Sequence, residues 1–119
     1  MASWIARHIE RAISQTADGF GDWCVNLQST AGADRWAQIT WEHINLAYPS
    51  ADDPASALAS LPDVPLLDIA SWEPNTFVTF SHGADGSLPA LADFMAAYFV
   101  HVLRLTDAES DWSVSEEAL

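Results

Sequence analysis

The chain has 119 residues, half of them hydrophobic, and six tryptophans; this length supports a hydrophobic core without disulfides or metal, and this much apolar surface excludes a disordered chain. Seventeen acidic residues face four basic ones, all arginine (Arg7, Arg11, Arg35 and Arg104), for a formal net charge of -13. That balance argues against nucleic acid and anionic membrane as direct partners, since both are bound through clustered Lys and Arg, and it suits a basic partner or simply a soluble surface.

From the N-terminus, Ser3 is placed to cap a first helix running to about Thr16, because Ile5, Ile9, Ala12 and Ile13 recur on one helical face. Two glycines in Asp18-Gly19-Phe20-Gly21-Asp22 break it. From Trp23 the period becomes two, with Val25 and Leu27 on the side of Trp23, and a first strand is expected. Ser29 to Asp34 forms a hairpin-length connection to a second strand, Arg35 to Glu42, in which Ala37, Ile39 and Trp41 alternate with Trp36, Gln38 and Thr40. Ile44, Leu46 and Tyr48 then read as a third strand or a bent continuation of the second, stopped by Pro49.

Asp52-Asp53-Pro54 sets a proline at the first position of a short helix, Ala55 to Leu61, with Pro62 and Pro65 flanking its end. Leu66 to Trp72 reads as a fourth strand, ended by the turn residues Glu73-Pro74-Asn75, and Thr76 to Ser81 as a fifth. After the loop Gly83 to Ser87, in which Asp85 or Ser87 could cap, a closing helix from Pro89 to Leu105 carries two apolar stripes. Leu88, Leu91, Met95, Phe99 and Val102 form one stripe, and Phe94, Tyr98, His101 and Leu105 the other. Such a helix asks for cover on two sides, by the core and by a partner or a dimer mate.

These elements predict an α+β fold in the order α-β-β-β-α-β-β-α: an antiparallel sheet of about five strands, with the first and last helices on one face and the central helix at an edge. Residues 1–106 are expected to form a single domain, and 107–119, rich in acids and lacking any basic residue, a frayed tail. The expected core is Ile5, Ile9, Ile13, Val25, Leu27, Ile39, Leu46, Val78, Phe80, Leu91, Met95, Phe99 and Val102.

Residues suited to chemistry are scattered. Cys24, the lone cysteine, reads as a buried, inert thiol, and it cannot form an internal disulfide. His8, His43, His82 and His101 share no metal-ligand spacing. Ser81-His82 beside Asp85 supplies the residue types of a hydrolase triad but not its geometry, and the run Asp18 to Asp22 lacks the ligand set of an EF-hand loop. No catalytic residue, cofactor or metal is therefore expected. The opening MASWIARHIERAIS is amphipathic rather than a signal peptide, and no run reaches the roughly 18 apolar residues of a membrane helix, so a cytoplasmic protein is expected. Absent lysine with abundant alanine matches GC-rich bacterial coding.

The tryptophans point instead to binding. Trp4, Trp23, Trp36, Trp41, Trp72 and Trp112 carry on the order of 200 Å² each, more than a small core conceals, and Trp and Tyr are frequent interface anchors. Trp36, Trp41, Phe94 and Tyr98 are the expected protein-binding residues.

The opening helix Trp4 to Thr16, the run DWCVNLQS to WAQITWEHINLAYP, and FVTFSH followed by LPALADFMAAYFVHVL give an element order that resembles the type III secretion chaperones and the YbjN-like proteins. The resemblance covers nearly the whole chain and implies a non-enzymatic domain that holds an extended segment of a partner protein. It also implies a homodimer through a helix and no cofactor. Two other readings remain: an immunity or inhibitor protein whose acidic face neutralises a basic toxin or nuclease, and a small enzyme or ligand-binding domain with a pocket lined by Trp and His.

Overall fold

The computed structural model describes residues 3–19, 21–61, 67–82 and 88–118. Helix α1 (Ser3–Ala17) already includes Ser3, and the capping expected of its side chain lies outside what is described. Thr16 ties the helix end to the sheet, its hydroxyl donating to the Ala12 carbonyl and accepting the Trp23 N–H, each at 2.9 Å. Gly19 and Gly21, at φ of 87° and 88°, each take the positive-φ conformation that other residues enter at a cost.

Strands β1 (Trp23–Ser29), β2 (Trp36–Ile39), β3 (His43–Ala47), β4 (Asp68–Glu73), β5 (Phe77–Ser81) and β6 (Trp112–Ala118) form one antiparallel sheet in the order β4-β5-β3-β2-β1-β6. The fold is α+β as expected, with one strand more. The register aligns Val25, Ile39, Ile44 and Phe80 in one row, and Leu27, Ala37, Leu46 and Val78 in the next. All eight are buried, because α1 and α3 (Leu88–His101) lie side by side over this face.

The expected second strand is cut short. Thr40 donates its N–H to the His43 carbonyl at 2.9 Å, and its hydroxyl accepts the His43 N–H at 3.1 Å. This closes a tight turn over Trp41 and Glu42, so β2 and β3 are separate strands and Trp41 sits at a hairpin tip rather than on a strand face. Helix α2 (Pro54–Ala57) is one turn long instead of reaching Leu61. Asp53 caps it by accepting the Ala55 N–H at 2.9 Å, Pro54 occupies the first turn, and the chain then tightens into three-residue turns through Leu61. It packs on β4, at the sheet edge. Leu66, Pro62, Pro65 and the loop 83–87 lie outside the described residues; the fourth strand begins at Asp68 among those that are described.

Two differences at the C-terminal end matter most. Helix α3 ends at His101 rather than Leu105, because Arg104 takes φ 60° and the Leu105 N–H caps the Phe99 carbonyl at 2.9 Å. The acidic tail, expected to fray, instead forms a 3₁₀ turn (Glu109–Asp111) and then β6, paired with β1 from Trp23↔Ala118 to Ser29↔Trp112. The cause is Trp112. Its ring stacks on Phe99 at 4.2 Å with 27° between planes, its Nε1–H donates to the Thr106 carbonyl, and only 6% of it is exposed. Opposite charge holds the rest of the tail: Arg7 pairs with Glu109 and Arg11 with Glu116, and Trp4 Nε1–H donates to the Asp107 carbonyl at 2.8 Å.

Of the second apolar stripe of α3, Phe94 and Tyr98 are buried by their own chain, whereas Leu105 is half-buried and His101 exposed. Phe94 packs edge-on against Phe80, and Tyr98, fully buried, donates its hydroxyl to the Ala47 carbonyl at 2.7 Å. Of the expected core, Ile13 and Val102 are only partly buried, while Trp4, Ile44, Tyr48, Phe94, Tyr98, Leu103 and Trp112 join it. No helix of the described residues is long and apolar enough to cross a membrane.

Replacing Trp112 by Ala should cost about 3–5 kcal/mol in urea unfolding, the range for losing a buried aromatic. A frayed tail would give a change within about 0.5 kcal/mol, as for an ordinary surface position. Arg104→Gly should instead raise stability by about 1 kcal/mol, since glycine enters the left-handed region without the side-chain clash.

Candidate functional site

With both long helices on one side, the other face of the sheet is left open. Strand alternation fixes what it carries. Asn26, Gln38, Asn45 and Thr79 lie in one cross-strand row, continued by Ser115 and Ser71 on the outer strands. Gln28 sits between Trp36 and Ser113 in the neighbouring row, and Phe77 pairs with Ala47 and Glu73.

The central row is tied together by hydrogen bonds. Thr79 donates its hydroxyl to Asn45 Oδ1 at 2.5 Å, Asn45 donates Nδ2 to Gln38 Oε1 at 3.3 Å, and Asn26 donates Nδ2 to Glu117 Oε1 at 3.3 Å. Gln28 turns its amide into the β1–β2 connection, donating to the Gly32 carbonyl at 2.8 Å and the Arg35 carbonyl at 3.0 Å. These are neutral donors and acceptors in fixed orientations, without charge at the middle of the face. Carboxylates stand around it instead: Glu117, Asp68 and Glu73 on β6 and β4, and Asp34 before β2.

At one end of the face a cleft of about 410 Å³ is lined by Asp34, Arg35, Trp36, Tyr48, Pro49, Asn75 and Thr76. Trp36, half-buried, is one of its lining residues. Asn75 adopts φ 55° in the β4–β5 turn, donating its N–H to the Ser50 carbonyl at 2.8 Å, which holds this wall in place. Arg35 is paired with Asp34 at 2.9 Å, an exposed contact whose contribution to stability is small.

The four residues expected to bind protein are not brought together. Trp36 lies on the open face and Trp41, 38% exposed, at the β2–β3 tip. Phe94 and Tyr98 are core residues under the opposite face, covered by Phe80 and β3, and cannot meet a partner without unfolding. Their stripe is apolar because α3 is enclosed by its own chain. The polar row of Asn26, Gln38, Asn45 and Thr79 was not anticipated. Alternation marks each as outward, but only the register reveals that they adjoin.

Groups with chemical potential are quiet. Burial, aided by Glu117, pushes the Cys24 thiol up, and its Sγ–H points to Asn26 Oδ1 at 3.5 Å, which disfavours a thiolate. His82, buried, directs Nε2 to the Thr40 carbonyl at 3.0 Å and its backbone N–H to the Glu42 carbonyl, bracing the β2–β3 turn rather than facing Ser81; Asp85 lies outside the described residues. His8 stands edge-on to Trp4. Among the described residues no three His, Cys, Asp or Glu side chains are grouped to hold a metal ion. Burial would raise the Glu116 carboxyl, but hydrogen bonds from Trp23 and Arg11, with the Arg11 and His8 charges, hold it below the usual range.

Comparison with family models, characterised proteins and solved structures finds no match to the chain, so the site rests on its own geometry.

Desolvation lowers His82 and His8 below their ordinary value of 6.5, against opposing contributions from Thr40 and Glu42 at His82 and from Glu109 and Glu116 at His8. Both imidazoles take up a proton more readily in the unfolded chain. Their contribution to stability is thus full above 6.5 and falls as pH drops through that value. Urea midpoints at about pH 7.5 and about pH 5.5 should show this decline, and His82→Gln should make it shallower.

Proposed function

We propose that the chain is a non-enzymatic protein-binding domain that docks a segment of a basic partner protein on the open face of its sheet. One observation carries this reading. The uncovered face has a neutral centre of oriented amides and hydroxyls with a half-buried tryptophan beside it, and its carboxylates lie at the rim. Interfaces share that arrangement, with charge depleted at the core of the patch, aromatic anchors enriched and a polar rim. An ordinary solvated sheet face would carry its charges in the middle as well, and this chain, with 17 acids to place, has kept them away.

The acidic rim and the net charge of -13 favour a basic partner, drawn in by long-range attraction that salt weakens. Holding a partner's segment is the secretion-chaperone-like role suggested by the element order, although β6 extends the order on which that likeness was based. A buried Cys24 with a raised thiol fits a cytoplasmic setting.

Asn45→Arg places a charge at the centre of the face, away from the core. If the reading holds, the wild-type chain retains a basic partner in a fixed ratio from its native lysate, and Asn45→Arg or Trp36→Ser lowers the affinity about thirtyfold, as loss of an anchor does, with circular dichroism unchanged. Undiminished capture by both variants would overturn it.

A further inference from the structure

The two edges of the sheet are guarded differently. β4 is interrupted by a register shift between Ile69 and Ser71, a bulge that spoils an edge as a template for further pairing. β6 has no such bulge; its guards are the carboxylates of Glu116 and Glu117, which oppose an acidic strand and not a basic one. It pairs with β1 over seven consecutive residues without a shift, contains no proline or lysine, and is exposed beyond Trp112.

Its hydrogen-bond phase can be fixed. The Thr30 N–H donates to the Asp111 carbonyl at 3.0 Å, one step before the pair Ser29↔Trp112. Bonded pairs alternate in an antiparallel ladder, so Ser113, Ser115 and Glu117 turn their backbone groups toward β1. The opposite side of the sheet agrees: the Ser29 N–H donates to the Arg35 carbonyl at 3.0 Å, so Val25, Leu27 and Ser29 serve β2 and leave Cys24, Asn26 and Gln28 for β6. Val114 and Glu116 consequently aim N–H and C=O outward, and among the described residues no strand meets them. The Trp112 N–H, which shares that direction, is taken by the Glu109 carbonyl.

We propose that this edge accepts an extended basic segment of a partner protein as a seventh, antiparallel strand. The proposal rests on the reading that the domain binds protein, but it uses the edge and not the open face. Charge selects the occupant. Adjacent Glu116 and Glu117 point to opposite sides of the sheet. Glu116 is already paired with Arg11 and hydrogen-bonded by Trp23, so the carboxylate that an added strand meets without a cation beside it is Glu117, whose Oε1 accepts the neutral Asn26 amide. A second copy of the chain, also at -13, is repelled. Antiparallel pairing places two consecutive basic residues opposite Glu117 and Glu116 and, two residues after the second of them, a β-branched residue opposite Val114, which is 38% exposed.

The probe is a short acetylated peptide, Thr-Lys-Arg-Thr-Val-Thr-Val amide, with a control carrying Glu for Lys and Arg. Amide hydrogen exchange of the intact protein should slow about tenfold or more at Val114 and Glu116 when the basic peptide saturates, and not with the control. Val114→Pro removes an outward donor while leaving the bonds to β1 in place, which an edge strand tolerates, and should abolish that protection. Should that variant fold poorly, N-methylation of alternate peptide residues must have the same effect on the wild-type protein. Protection at Asn26, Gln38 and Asn45 alone would overturn the edge proposal and leave the open-face reading intact. So would the absence of binding, or binding that survives both changes. Protection of Val114 and Glu116 that grows with protein concentration and needs no peptide would overturn the choice of a basic occupant in favour of self-pairing.

Discussion

The contact between Phe99 and Trp112, stacked at 4.2 Å, joins the last turn of α3 to the first residue of β6 and fixes how the C-terminal end is arranged. Its effect reaches in two directions. On the helix side it covers Phe99, as Phe80 packs against Phe94 and the Ala47 carbonyl accepts the Tyr98 hydroxyl. On the sheet side it anchors a strand whose remaining residues are exposed and which would have little reason of its own to stay against β1. A buried aromatic of this size is worth several kcal/mol, while the exposed ion pairs of Arg7 and Arg11 add modest amounts. The ring supplies the hold and the charges set the position.

Charge is distributed with equal consequence. Among the described residues Arg7, Arg11 and Arg35 pair with carboxylates, the first two linking α1 to the tail. Most of the acids remain in excess, yet the middle of the open face is built of amides and hydroxyls. A uniformly acidic surface would serve solubility alone. The segregation seen here yields a patch that can be desolvated at less cost than one bearing charges, framed by a field that attracts cations from a distance.

Much of the fold was legible because local chemistry and tertiary structure agree. The period-two runs through Val25 and Leu27 and through Val78 and Phe80 became strands, Asp53-Pro54 opened a helix, and Glu73-Pro74-Asn75 made a turn. Most of the misreadings share a cause, a decisive contact distant in sequence; the second strand is the exception, cut by a contact three residues away. WSVSEEA looks like a solvated tail because it is polar, and only its place beside β1, reached through Trp112, makes it a strand. The extent of the second strand was decided by one hydroxyl, that of Thr40, bonding back on the chain. Phe94 and Tyr98 looked like a binding stripe because hydrophobicity marks burial without saying whose atoms do the burying. The polar row was invisible for the complementary reason, since Asn26, Gln38, Asn45 and Thr79 are ordinary outward residues until register makes them neighbours.

Closure of β1 by β6 also bears on how the molecule comes to be folded. Trp23 and Glu116 are 93 residues apart, and Trp4 and Asp107 are 103 apart. Contacts of such long range must overcome the entropy of a large loop before they return any energy, and they slow the search for the native state. β1 is made long before β6, so its outer side has no mate until residues 112–118 have left the ribosome. Through that interval a row of strand hydrogen-bonding groups stands unpaired beside the apolar residues of α1. A nascent chain of this kind is at its most adhesive just before β6 emerges, and the carboxylates of that strand then arrive together with the pairing that ends the exposure.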